Sequence, residues 1–227
     1  MENNKLFSVE PNDRKEVVEK LIQESSPLKS FFTMIILATA LATLGLLVDN
    51  IPIIIGAMLV APLLSPVLCI GMGIVIFDMK LIRRSVFATA KAILLSIATS
   101  VIIVLLTQWE IATIEFVNLM KPNLIFVYIA FVSGLAAAYS WGKPRLFEAL
   151  PGVAISVTLI PPLAGIGVGL AHFDWSIIAG TVMLLIINLV CIILTSVVVF
   201  QLMGFYKERK SAEKAIKQEE KILQKEE

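Results

Sequence analysis

Cysteine and histidine are nearly missing: a chain of 227 residues holds two of the first and one of the second. Cys69 and Cys191 lie inside apolar runs with no CxxC or Cys/His spacing, which argues against a disulfide framework and a zinc site. His172, with no second imidazole to share a metal, reads as a loop residue, and neither a metal nor a cofactor is expected. Charge is scarce at 16%, against about 25% in a typical soluble domain. The 19 basic and 18 acidic side chains nearly cancel, which excludes a nucleic-acid binder held by bulk charge. No apolar leader is present either: the first 25 residues are polar and charged where the core of a secretory signal should stand.

What the chain has instead is apolar length. Hydrophobic residues make up 58% of it, and the mean hydropathy is +0.89. Crossing the hydrocarbon as a helix needs about 20 mostly apolar residues. Six segments qualify: 31–48, 51–77, 85–109, 123–141, 150–171 and 175–204. They contain no Asp or Glu and a single basic residue, Lys91. The runs are too long, and alternate too little, for a membrane β-barrel. The fold class expected is therefore all-α, integral to a membrane, with six spans.

The remaining charges orient the spans. Lys80, Arg83 and Arg84 fall between spans 2 and 3, and Lys143 and Arg145 between spans 4 and 5. The loops after spans 1 and 5 have no basic residue, and the loop after span 3 has only Lys121. By the positive-inside rule both termini lie on the cytoplasmic side, N-in and C-in. Five divisions follow: an amphipathic segment 1–29, a three-span unit 30–108, an outer connector 109–122, a second three-span unit 123–204 and a charged tail 205–227. The connector reads as a surface amphipathic helix or a plain linker. The face made by Val17, Val18, Leu21 and Ile22 could rest on the membrane, on the protein or on another subunit. The tail reads as a solvated continuation of span 6 or as a short coiled-coil contact between subunits.

The chain also resembles itself. Displaced by 96 positions, residues 56–78 align without a gap on residues 152–174, with identity at eight of 23 positions, among them Gly56/Gly152, Pro66/Pro162, Gly71/Gly167, Gly73/Gly169 and Asp78/Asp174. Composition alone would give about two. The same displacement aligns Thr99-Ser100-Val101 with Thr195-Ser196-Val197. Each copy holds three spans, an odd number, so the second must enter the membrane from the opposite side. Inverted repeats of this kind are shared by many secondary transporters.

Spans 2 and 5 carry prolines near their middles, Pro62 with Pro66 and Pro161 with Pro162. Each removes a backbone donor and clashes with the preceding turn, so both helices are expected to break outright. Unsatisfied backbone at mid-bilayer is tolerated only against protein or water. The second halves would then present free N–H groups and a partial positive charge toward each other, a place for an anion or carboxylate. The expected binding residues are Ser65 and Pro66 at the first break, and Ser156, Thr158, Pro161 and Pro162 at the second, together with Asn188 and Lys91. The hydroxyls either meet a solute or bond back to their own helices. Asn188 either bridges helices or touches the solute, and Lys91 either snorkels to the interface or supplies positive charge. Gly56, Pro62, Gly71, Gly73, Gly152, Gly167 and Gly169 are expected at the breaks or at close helix approaches. Were spans 2 and 5 re-entrant hairpins instead, the inversion would be lost.

The stretch Gly45-Leu46-Leu47 followed by Ile55-Gly56-Ala57-Met58-Leu59-Val60-Ala61-Pro62-Leu63-Leu64-Ser65-Pro66 resembles the signature of the prokaryotic "uncharacterised hydrophobic domain" membrane proteins, domain of unknown function 389. The resemblance continues through Gly152-Val153-Ala154-Ile155, Pro161-Pro162 and Asn188. It implies a multi-pass protein of the prokaryotic inner membrane and supplies no substrate. The functional expectation is a transporter or channel for a small anion or polar solute, working in the bilayer as a homo-oligomer. The alternative is a non-transporting scaffold or sensor. An enzyme is disfavoured, because the spans offer no carboxylate or histidine to act as acid or base.

Overall fold

The computed structural model describes residues 7–107, 123–149 and 159–226. Among these residues every regular element is helical. Helix α1 (Pro11–Glu24) opens on a proline, whose missing N–H would have no partner there, and turns Val17, Val18, Leu21 and Ile22 inward. Helix α2 (Lys29–Leu47) follows after a short corner. Helix α3 (Ile51–Val60) is capped by Asn50, whose side chain accepts from the Ile53 N–H at 3.2 Å. Ala61, just ahead of Pro62, is extended, the conformation proline favours in the residue before it, and the axis turns by 49° into α4 (Leu64–Ile76). The helix is therefore broken, and bent, at Pro62. Pro66 sits in the first turn of α4, where no intrahelical bond is lost, so the expectation that two prolines act together is corrected.

Helix α5 (Met79–Thr107) starts earlier than apolarity suggested, because Asp78 caps it: its Oδ1 accepts from the N–H groups of Lys80 and Leu81 at 2.9 and 3.0 Å. Asn123 caps α6 (Leu124–Trp141) in the same manner. A 3-10 turn (Pro144–Ala149) comes next, and then α7 (Ile160–Ala171), with Pro161 and Pro162 in its first turn. Asp174 caps α8 (Trp175–Leu202) by accepting from Ser176 and Ile177. After Gly204, at φ 80°, the chain leaves the axis of α8 and forms a last helix, α9 (Arg209–Glu226).

Four helices, α2, α5, α6 and α8, are long and apolar enough to cross a membrane, and the bent α3–α4 pair makes a fifth candidate. Helix α7 has only 12 residues, about 18 Å and so roughly half the hydrocarbon thickness. Its expected first half, like the connector 109–122, lies outside the described residues. The long helices expose leucine, isoleucine, valine and phenylalanine along one side, for instance Phe87, Leu94 and Leu106 of α5. Such a surface belongs in lipid. The protein is an all-α membrane protein.

The short helices form the centre. Eleven of the 13 residues of α4 and ten of the 12 of α7 are buried, as expected of helices that are apolar all round. Both pack on α5 and α8. In addition α4 meets α1, while α7 meets α2 and α3. The apolar face of α1 is thus covered by this chain's own α4 and α9. The tail does not continue α8: it folds back onto α1, burying Ala212, Ala215 and Ile216.

Candidate functional site

The glycines of the short helices explain their central position. A Cβ on Gly71 would overlap the Ser196 hydroxyl and stand 2.9 Å from the Ser196 Cβ. A Cβ on Gly167 would overlap the Ser100 Cβ and lie 3.0 Å from the Ile97 carbonyl oxygen. Gly71 and Gly167 are 96 residues apart, and so are Ser100 and Ser196. Each copy's short helix therefore presses on the other copy's long helix through the same residue pair. A second pair stays within each copy: Gly73 faces Ile82, and Gly169 faces Ile178. The turns match as well, with Phe77 and Phe173 both left-handed at φ 54° and 56°.

Gly56 does not belong with these. Among the described residues nothing lies within 4 Å of where its Cβ would be. Gly152, Ser156 and Thr158 fall outside the described residues.

Ser65 is buried and donates to Glu24 Oε2 at 3.5 Å, a long contact. A carboxylate of α1 thus stands at the start of α4. Removal from water pushes the Glu24 carboxyl above its ordinary value, while Lys20 and the Ser65 hydroxyl pull it back. Pro66, Pro161 and Pro162 are buried inside the protein. Asn188 is buried on α8. Lys91 is exposed, its ammonium 4.7 Å from the ring centre of Phe32, and is not gathered with the buried group. The two short helices share α5 and α8 as neighbours.

A polar group that the sequence did not single out lies at the α1 end of α4. The Cys69 thiol donates to the Leu21 carbonyl at 3.4 Å and to Ser25 Oγ at 3.2 Å. Arg84 Nη2 donates to Ser26 Oγ, and Ser26 in turn donates to Glu219 Oε2. The guanidinium lies 4.0 Å from Glu219, with both side chains largely buried. Arg84 Nε and Nη1 and Ser85 Oγ are buried among the described residues without a hydrogen-bond partner. Arg14 and Glu208, 3.4 Å apart, tie α1 to the start of α9. Lys20 sits 3.8 Å from the ring centre of Phe147, in the turn after α6. Together α1 and α9 form a cap fixed to α4 and α5 by charge as well as by apolar contact. In the sequence Arg84 was one basic residue of a topological cluster, and nothing in its neighbourhood distinguished it.

Two clefts open beside this cap. One, of about 350 Å³, is lined by residues that include Glu10, Asp13, Lys143 and Arg145. The other, of about 400 Å³, lies between the 77–80 turn and α9, among Lys80, Arg209, Lys217, Glu213 and Glu220. Both mix charges of either sign. Neither is lined by the proline-break residues. Among the described residues no group of three His, Cys, Asp or Glu side chains is placed to hold a metal ion.

Residues 58–194 match the family described as "Domain of unknown function (DUF389)". An uncharacterised protein of Methanocaldococcus jannaschii is 27% identical over 207 residues, which cover 86% of this chain and 64% of the relative. The chain thus spans less than two thirds of that relative's length. No solved structure matches it. With more than half of its length inside the matched region, and that region holding Pro62, α4, α7 and the Gly167–Ser100 contact, the chain belongs to the DUF389 family.

Proposed function

We propose that the protein is a transporter or channel for a small anion or polar solute, built from two inverted three-span repeats in the prokaryotic inner membrane and working as a homo-oligomer. It is not an enzyme on this reading, and it needs no cofactor. The observation that carries the proposal is the exchanged contact of the two copies, Gly71 on Ser196 and Gly167 on Ser100. A short helix that starts at a proline and leans on the other copy's long helix is the arrangement from which alternating or crossed permeation paths are built. In this reading the chain has six spans, and both termini face the cytoplasm.

The proposed site lies at the start of α4 and at the equivalent start of α7. Glu24 supports it chemically, since its carboxylate already stands beside Ser65 where a helix N-terminus favours negative charge. A permeating anion would take that position, and α1 would be the inner closure that yields to it. A second reading, a non-permeating sensor or scaffold, draws support from the buried prolines and from the charged cap of α1 and α9.

Flux into sealed proteoliposomes separates the two, with chloride, acetate and glycerol as probes. Permeation expects protein-dependent uptake of at least one probe, reduced by Ser65→Leu in protein that still inserts. Wild-type protein that inserts yet passes none of the three at a rate above protein-free vesicles would overturn the transport reading and leave the scaffold.

A further inference from the structure

The turns that follow the two short helices have the same unusual construction. In each, a phenylalanine occupies the left-handed region, Phe77 at φ 54° and Phe173 at φ 56°. The next residue is an aspartate whose backbone N–H closes on a glycine carbonyl, Asp78 on Gly73 at 3.0 Å and Asp174 on Gly169 at 2.9 Å. The aspartate then caps the following long helix. A left-handed position at a helix C-terminus suits glycine, because a Cβ crowds the backbone there. A ring at that place is a worse answer to the turn's geometry than glycine, and the chain gives it twice.

The rings are not serving the core. Phe77 is 81% exposed and Phe173 86%, and each is followed two positions later by another exposed large apolar side chain, Met79 at 74% and Trp175 at 77%. Each pair sits where a short buried helix hands over to a long lipid-facing one, with the capping aspartate between them. Apolar bodies beside a polar cap, at the end of a span, suit the boundary between lipid headgroups and acyl chains.

We propose that Phe77 with Met79, and Phe173 with Trp175, are paired membrane-interface anchors whose partner is the headgroup–acyl boundary of the bilayer. The left-handed turn leaves each ring pointing outward, exposed beyond the end of its helix. The anchors fix how deep α4 and α7 sit, and hence the depth at which their proline-bearing starts are held. That the two anchors lie in opposite leaflets rests on the inverted-repeat reading proposed above; that each lies at an interface does not.

The test uses the full chain in phosphatidylcholine vesicles with one tryptophan left. In one protein Trp109→Phe and Trp141→Phe leave Trp175; in the other, Trp175→Phe and Phe77→Trp are added. Both should be quenched most by lipid brominated at shallow acyl positions, less by lipid brominated deep in the chain, and weakly by aqueous iodide. Strong iodide quenching with no effect of brominated lipid would overturn the anchors. Indifference to both quenchers would also overturn them, pointing to burial against a second copy.

Sidedness is read separately. Lys80→Cys and Ser176→Cys, 96 residues apart, are placed singly in a Cys69→Ala, Cys191→Ala background and exposed to a membrane-impermeant maleimide on intact cells. Only Ser176→Cys should label before permeabilisation. Labelling of both from one side would reject the inversion while the quenching result still decides the anchors.

Discussion

Replacing Gly167 with alanine isolates the contact on which the arrangement of the two copies depends. In a helix, alanine is favoured over glycine by about 1 kcal/mol, so an unobstructed exchange should stabilise. Here the new methyl meets the Ser100 Cβ, which no rotamer change can remove, and the Ile97 carbonyl oxygen at 3.0 Å, which is backbone. Overpacking of this kind costs about 1–3 kcal/mol when helices must part. Parting α7 from α5 also strains the hydrogen bond from Ser100 Oγ to the Ala164 carbonyl, 2.7 Å long, worth about 1 kcal/mol. The expected net effect is a loss of about 1–2 kcal/mol, the propensity gain offsetting part of the larger cost. Gly71→Ala should cost less, because the nearest obstacle is a hydroxyl that can rotate and the Ile193 carbonyl oxygen is 3.4 Å away. Gly56→Ala, with open space around it, should be neutral or slightly stabilising. Unfolding of purified protein in mixed detergent micelles, followed by loss of helical circular dichroism, gives the order. Adding Ser100→Gly to Gly167→Ala supplies the cycle, and about 1 kcal/mol or more of the loss should return. A neutral Gly167→Ala, or a Ser100→Gly that rescues nothing, would refute the claim that this contact sets the packing distance.

Three further outcomes follow from the cap and the turns. Asp78→Ala and Asp174→Ala should each lower stability by about 1 kcal/mol, the worth of a helix N-cap, and by equal amounts within error because the two caps have the same geometry; thermal unfolding checks this. Glu219→Ala leaves the buried Arg84 without its carboxylate, so α9 should loosen by about 1–3 kcal/mol, read as faster proteolysis between Gly204 and Arg209, with Arg84→Met in the same chain restoring part of the protection. Glu24 titrates above its ordinary value of 4.5 in the folded protein. It therefore holds its proton more readily folded than unfolded, and stability should fall as pH rises through the interval between those two values. Glu24→Gln should flatten that dependence in thermal scans and, if α1 closes the inner path, raise flux several-fold at neutral pH.

The sequence disclosed the parts of the fold that periodic chemistry writes into it. Runs of apolar residues marked the four long helices, and the displacement of 96 brought Gly71 and Gly167 into register before any contact was visible. It disclosed less where one residue's effect depends on what lies across from it. Pro62 and Pro66 look alike in the sequence, yet only Pro62 interrupts a helix, because Pro66 falls in a first turn that has no bond to lose. Gly56 aligns with Gly152 as well as Gly71 does with Gly167, but among the described residues nothing comes within 4 Å of its Cβ position. The polar cap was beyond reach for a different reason: Glu24, Ser26, Arg84 and Glu219 come from three distant stretches, and only the fold of the tail onto α1 makes them neighbours. Lys91 was legible as the one basic residue in a span, and its exposure over Phe32 puts it on the periphery.

The departures from symmetry carry more functional information than the symmetry itself. Displaced by 96 positions, Arg84 falls on Gly180, Cys69 on Gly165 and Ser65 on Pro161. All three residues of the first copy touch the α1–α9 cap or the corner after α1, and all three counterparts lack the polar atom that makes the contact. A duplicated frame with one end fitted for a docked helix and the other stripped of the same groups is not symmetric in its control. Among the described residues it is the α4 end that a carboxylate from the same chain holds, Glu24 on Ser65. A regulator acting through the cap must therefore act on that end first, and substitutions at Arg84 or Glu219 should alter behaviour from one side of the membrane while leaving the α7 end untouched.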